Sequence, residues 1–190
     1  GADEVGRGCL AGPVVAGAVI LDPERHIPGL ADSKALRATE REALAVEVRA
    51  HAVSWAVAVI EVDEIDRLNI HRASLTAMRR AVEQLQPQPG LVLVDGFPLP
   101  QLPIAQRAVI GGDARVSAIA AASIVAKVFR DDLMRALHAA DPRYGYDRHK
   151  GYATADHLAA VARHGYSPAH RRTFRPPTLF DLSDTIADET

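Results

Sequence analysis

The sequence predicts an α/β fold, a central mixed sheet of five strands flanked by helices, with further helices added at the C-terminal end. Three observations lead there. Short runs rich in Val, Ile and Ala alternate with segments of helical period as far as Ile110. The run Leu91-Val92-Leu93-Val94 is apolar without a break, the pattern of a strand covered on both faces. Beyond Ser117 helical patterns dominate.

The elements follow in order. Residues 1–5 read as the end of a strand and 13–21 as a second, a Val, Ala and Ile run too short for a helix. Residues 6–12 then make a hairpin connection. A helix is predicted from Thr39, where Thr39 and Glu42 have capping-box spacing, with Ala43, Val46 and Ala50 on one face and an end near His51. Residues 53–62, rich in Val, Ile and Trp, form a third strand. Asn69 caps a helix to about Leu85, in which Ala73, Ala77, Ala81 and Leu85 recur every four residues, and Pro87 and Pro89 end it. The fourth strand, 91–94, runs into Asp95-Gly96, and a fifth, 104–110, closes on Gly111-Gly112-Asp113. Residues 117–138 form a long helix whose first half, to Val128, is apolar on nearly every side and so belongs in the middle of the molecule. A last helix, 154–164, stops at Gly165. No internal repeat or low-complexity linker interrupts the chain.

At 190 residues and 48% apolar content, the chain has the size of one domain with a substantial core. Its one cysteine, Cys9, forms no intramolecular disulfide and lacks ligand-type neighbours, which points to packing and to a reducing compartment, the cytoplasm. No apolar run reaches the length of a membrane span, and no signal pattern opens the chain. A net charge of −2 by itself argues against a nucleic-acid partner, but the distribution does not. From Arg143 to Arg175 seven Lys or Arg stand against two acids, with His149, His157, His164 and His170 in the same stretch. A basic C-terminal third beside an acidic site is the footprint of a phosphate-backbone partner, although a solvated basic surface has the same composition.

The acidic site begins at Asp3-Glu4, adjacent carboxylates followed by Gly6-Arg7-Gly8. Paired acids can hold a hard cation, and glycines around an arginine leave the backbone open to close approach. In a strand the two carboxylates point to opposite faces, so the strand must end there for both to reach one site. Asp95 and Asp113 each follow an apolar run, as acids at strand ends on one edge would. Each alone is also an ordinary turn residue. Four acids gathered without a cationic partner are costly unless metal neutralises them, so as a set they read as a two-metal site. Residues 6–11 formally match the dinucleotide fingerprint, but Pro13 leads into a β-type run where that motif needs a helix N-terminus. Asp32-Ser33-Lys34 suits a phosphate contact or a simple turn. Tyr144, Tyr146 and Tyr152, set among Arg143, Arg148, His149 and Lys150, could offer rings to a sugar or base, or pack in the core with a wet hydroxyl. No Ser, Cys and His pattern supports covalent catalysis.

Residues 1–8 with Leu10-Ala11-Gly12-Pro13-Val14-Val15 resemble the opening of the bacterial ribonuclease HII (type 2 ribonuclease H) family. Asp32-Ser33-Lys34, Val94-Asp95-Gly96, Gly112-Asp113, residues 121–128 with Arg130-Asp131, His149-Lys150-Gly151-Tyr152 and residues 167–171 agree in order. The resemblance runs from Gly1 to about Phe174. It implies a ribonuclease H-like catalytic domain over 1–174, with its basic helical part from about 140, and a mobile tail over 175–190. The implied activity is endonucleolytic, on the RNA strand of RNA–DNA hybrids and at ribonucleotides embedded in duplex DNA. Asp3, Glu4, Asp95 and Asp113 then correspond to the catalytic carboxylates, with Mg²⁺ or Mn²⁺ as cofactor, two ions in the substrate complex, and 3′-hydroxyl and 5′-phosphate products. Gly6, Arg7 and Gly8 correspond to the segment that senses the ribose 2′-hydroxyl, and Tyr152 to the tyrosine that packs on the deoxyribose at the RNA–DNA junction. Lys34, Ser123 and Lys127 are implied phosphate contacts. The family usually carries a lysine two positions before the fourth acid, where this chain has Gly111.

Two alternatives compete, a nucleic-acid-binding module of the same fold without metal, and another nuclease of the superfold, since fold does not fix substrate. Thr178-Leu179-Phe180-Asp181-Leu182 could dock a sliding clamp. A monomer that touches no membrane is the default expectation.

Overall fold

The computed structural model describes residues 1–30, 33 and 36–174. Lys34 and the tail, including the clamp-docking expectation, lie outside the described residues.

Five strands form one sheet in the order β3-β2-β1-β4-β5. β1 (Ala2–Val5) and β2 (Val14–Ile20) pair antiparallel, as β2 does with β3 (Ser54–Ile60). β4 (Leu91–Asp95) runs parallel to β1 and β5 (Ala105–Val109) parallel to β4, so the sheet is mixed as expected. Two helices cover its faces. α3 (Ile70–Glu83) lays Ala73, Ala77, Met78, Ala81 and Val82 against Ala16, Ala18, Val92 and Val94. Asn69 caps it by accepting from the Arg72 N–H at 3.1 Å. On the opposite face α4 (Ser117–Ala140) lays Ala121, Ala122 and Val125 against Val19 and Val57. Small residues let that helix sit very close: a Cβ on Gly17 would stand 2.3 Å from the Ala122 carbonyl oxygen. This close approach sets α4 over the strand that carries Asp3.

Four local expectations need correction. α1 (Ala38–His51) starts one residue before Thr39, and it is Glu40 that reaches back, accepting from the Arg37 N–H at 3.0 Å. Its buried face is Ala45 and Val48 with Leu44, while Val46 is 61% exposed. Both stripes are apolar, and packing against Ile124, Val125 and Val128 of α4 selects one. The third strand ends at Ile60, and residues beyond it form an unforeseen short helix, α2 (Val62–Leu68), which buries Val62 and Ile65. Asp113 is not at the end of β5 but in a 3₁₀ turn over Gly112–Ala114. The tyrosine-rich segment also folds, into a 3₁₀ turn over Pro142–Tyr144 and α5 (Tyr146–His149), ahead of α6 (Ala155–His164).

These last elements pack on the far half of α4 through Met134, Tyr144, Tyr146 and Val161, with Leu10 and Ala11. Tyr144 and Tyr146 are core residues, stacked at 5.4 Å, their hydroxyls bonded to the Gly165 carbonyl and to Ser167. They offer no platform to a ligand. Among the described residues no helix is long and apolar enough to cross a membrane.

Candidate active site

β1 pairs Asp3 with Gly17 and Glu4 with Ala16, so both acids lie inside the strand and the expected strand end between them is absent. Directly opposite residues in an antiparallel pair share a face. Asp3 therefore looks toward α4, and Glu4 toward the face that carries α3. The parallel register Ala2 to Val94 brings Asp95 level with Asp3 at the same sheet edge. Adjacent parallel strands thus set two carboxylates side by side, Asp95 at the end of β4 and Asp3 within β1 rather than at its end.

Asp3 is nearly fully buried, with hydrogen bonds from Ser123 and from the Glu4 N–H at 2.7 Å. Burial, with the charges of Glu4 and Asp95 added, nevertheless pushes its carboxyl up to about 8. Burial likewise raises Glu4, only partly offset by Arg7, whose guanidinium donates to Oε1 at 3.3 Å. Asp95 Oδ1 accepts from the Gly112 N–H at 2.7 Å, which tethers the Asp113 turn to it. Asp113 is buried, and its Oδ1 accepts from its own neighbour Ala114 N–H at 3.0 Å. Among the described residues no three His, Cys, Asp or Glu side chains are drawn close enough to hold one ion together. The four acids are neighbours rather than a closed cage. Their donor set nonetheless suits a hard divalent cation: oxygens only, with the charges of Glu4 and Asp95 raising Asp3, that of Asp95 raising Glu4, and Arg7 hydrogen-bonded to Glu4 alone.

The loop after β1 is held by two buried arginines. Arg130 of α4 donates to the carbonyls of Pro13 (2.9 Å), Ala11 (3.1 Å) and Lys150 (2.8 Å). Arg171 donates to those of Gly12 (3.0 Å), Arg7 (3.0 Å) and Gly6 (2.6 Å). Burial lowers Arg171 to about 10, still charged at neutral pH. Gly6 has a φ of +88°, and a Cβ there would fall 2.1 Å from Arg130 Nε, so the loop requires glycine at that point. Gly8 is exposed with open space around it. Arg7 reaches His71 of α3 at 3.2 Å beyond Glu4.

The same wiring fastens the Tyr152 segment to this loop. The Leu10 N–H donates to the Gly151 carbonyl at 2.8 Å, and Cys9 Sγ lies 3.7 Å from the Lys150 carbonyl oxygen. Tyr152 is 41% exposed, with its hydroxyl at the Cys9 thiol. Asp3, Glu4, Arg7 and Tyr152 are therefore joined through a few backbone links. Ser123 and Lys127, expected as phosphate contacts, are engaged within the fold. Ser123 is buried, its hydroxyl engaged by Asp3 and, at 2.8 Å, by Ser33. Lys127 donates to Asp131 at 2.6 Å. Sequence reasoning passed over Arg130 and Arg171 as loop anchors. Their only signal was an arginine inside an apolar helical stretch and another among core residues.

The family model described as Ribonuclease HII matches residues 1–176. A Ribonuclease HII of Bordetella avium is 55% identical over 183 residues, 96% of this chain and 91% of its own. The solved ribonuclease H2 of Pyrococcus horikoshii superposes with a TM-score of 0.78 at 25% identity, covering 100% of this chain and 98% of that one. A Bst ribonuclease HIII solved in complex with Mn²⁺ shares the fold, with a TM-score of 0.69 at 20% identity over 100% of this chain and 70% of its own.

Proposed function

The chain belongs to the ribonuclease HII family, metal-dependent endonucleases acting on RNA–DNA hybrids, and from that premise we propose that it also incises at single ribonucleotides embedded in duplex DNA. The observation that carries this reading is the fastening of the Gly6-Arg7-Gly8 loop and of Tyr152 to one another beside Asp3, Glu4 and Asp95. Selection of the sugar and cleavage of its phosphate then occur within one rigid unit.

Asp3, Glu4, Asp95 and Asp113 would share between them two divalent ions, Mg²⁺ or Mn²⁺, which supply an activated water and charge neutralisation at the phosphate when bound. Ser123 orients Asp3, and the Gly112 N–H orients Asp95. Arg7 holds Glu4 Oε1 and His71, and its guanidinium is exposed enough to meet a phosphate oxygen as well. The exposed backbone at Gly8 can meet a 2′-hydroxyl, the group by which ribose differs from deoxyribose. Tyr152 offers its ring to the adjoining sugar. No side chain in this set needs to act as a general base. The buried, unpaired Cys9 suits the reducing cytoplasm proposed for the protein.

The decisive experiment compares an all-DNA duplex with the same duplex carrying one ribonucleotide, in Mg²⁺, in Mn²⁺ and in chelator. We expect incision only beside the ribonucleotide, only with metal, and with 3′-hydroxyl and 5′-phosphate ends. Cleavage of the all-DNA duplex at a comparable rate would instead assign a different nuclease of the superfold.

A further inference from the structure

Three histidines that the mechanism does not use lie under the Tyr152 segment. His157 and His170 are fully buried, and His149 stacks on His157 at 4.3 Å. Their partners determine every proton position. The Ser167 N–H donates to His170 Nδ1 at 2.9 Å, so that nitrogen is bare and His170 carries its proton on Nε2. His170 Nε2 faces His157 Nε2 at 3.1 Å, which makes the latter an acceptor. His157 therefore carries its proton on Nδ1, and Nδ1 donates to the Tyr152 carbonyl at 2.8 Å. His149 is fixed independently: its Nδ1 accepts from the Gly151 N–H at 3.2 Å and its Nε2 donates to the Tyr144 carbonyl at 2.7 Å. All three rings are neutral, and hydrogen bonds run in one direction from Ser167 through His170 and His157 to Tyr152.

The backbone they hold is in an unfavourable conformation. Lys150 and Gly151 precede Tyr152 with φ of +52° and +87°, and for lysine the left-handed region is costly. Such a conformation persists only where neighbouring bonds fix it, and the rings supply them at the Gly151 N–H and the Tyr152 carbonyl.

We propose that His157 and His170, with His149 beside them, are positioning residues that hold the Tyr152 ring where it meets the sugar at a ribonucleotide junction. The proposal rests on the reading of Tyr152 given above. A neutral imidazole is suited to this because it donates at one end and accepts at the other. An aliphatic side chain at His170 would take the Ser167 N–H's partner away, and one at His157 would leave the Tyr152 carbonyl with the Thr154 N–H alone and no bond to the ring layer beneath it.

The test is the ratio of kcat/KM on a duplex with one ribonucleotide to that on a long RNA–DNA hybrid. Tyr152→Ala should lower this ratio by roughly tenfold or more, the scale at which small misplacements act. His157→Leu should lower it in the same direction and add nothing in the double variant. His157→Asn, whose amide N–H can take the place of Nδ1–H, should restore it. A folded His157→Leu with the parent ratio, while Tyr152→Ala loses it, overturns the positioning role. An unchanged ratio in Tyr152→Ala overturns the junction reading instead. Should His157→Leu fail to fold, long-range ¹H–¹⁵N spectra of the native protein decide. They must show Nδ1–H for His157 and Nε2–H for His149 and His170, and any other pattern ends the proposal.

Discussion

In the function proposed above, Asp3 and Asp95 are the residues on which catalysis depends most directly, and each is held by a hydrogen bond from the fold. Asp3 takes its bond from Ser123 and Asp95 takes one from the Gly112 N–H. Asp3→Asn and Asp95→Asn preserve shape and remove one negative charge each. We expect either to reduce cleavage by at least about three orders of magnitude, as loss of a metal-holding or transition-state group does, while hybrid binding stays within a few-fold. Substantial cleavage by Asp3→Asn in metal-replete buffer contradicts its role. Asp95 was legible in the sequence because an acid after an apolar run has few places to go other than a strand end, and Asp3 because it is paired with Glu4 ahead of Gly6-Arg7-Gly8. The fates of Ser123 and Lys127 were not legible. Both were expected at phosphate, but whether a hydroxyl or an ammonium on α4 reaches solvent depends on the partners opposite, here Asp3, Ser33 and Asp131.

At the scale of elements, the loop over residues 6–12 has no regular structure of its own, and its backbone carbonyls are satisfied by side chains from two distant segments. Arg171 alone spans Gly6, Arg7 and Gly12. Replacing it with leucine removes three bonds to backbone carbonyls, of which Gly6 keeps the Cys9 N–H at 3.4 Å, at roughly 1–3 kcal/mol for each carbonyl left unsatisfied before relaxation. We expect Arg171→Leu to destabilise the protein by about 3–5 kcal/mol in a denaturant titration, and Arg171→Lys to recover only part, because an ammonium lacks the planar fork. A loss below about 1 kcal/mol would mean that the loop holds itself. α1 and α2 show why the remaining elements were harder to read. Two apolar stripes on α1 compete, and only the position of α4 chooses between them. α2 is a two-turn helix with two buried residues, Val62 and Ile65, too short for a period to stand out from the strand before it.

For the whole molecule, Asp3 on the central strand and the C-terminal histidine cluster titrate in opposite directions. Burial, reinforced by the neighbouring ring for His170, lowers His157 and His170 to about 4, so in the fold they stay neutral where unfolded histidines near 6.5 would charge. Their contribution is present above pH 6.5 and lost as pH falls toward 4. Asp3 behaves in reverse: raised to about 8, it keeps a proton in the metal-free fold that the unfolded chain has released, so its contribution is lost as pH rises from about 4 to 8. Two imidazoles outweigh one carboxylate below pH 6.5. Above it the Gly1 amino group, lowered by burial to about 5, gains stability with pH as Asp3 loses it, and the two oppose each other up to about pH 8. Heat unfolding in chelator should therefore lose stability as pH falls below 6.5 and change little from pH 6.5 to 8, and a divalent ion, which takes the proton's place on Asp3, should make stability rise over that upper range. A metal-free profile that stays flat from pH 6.5 down to 4 is inconsistent with two buried neutral histidines.

The sequence by itself determined the α/β class, the five strands, the central apolar helix and the four acids with the loop beside them, because periodicity, turn residues and charge are local properties. Tertiary structure alone decided which stripe of α1 is buried, that Asp113 sits in a turn, that Tyr144 and Tyr146 are core, and that three histidines point one line of hydrogen bonds at Tyr152. Each of these depends on what stands opposite a residue across the fold, and spacing along the chain carries no record of it.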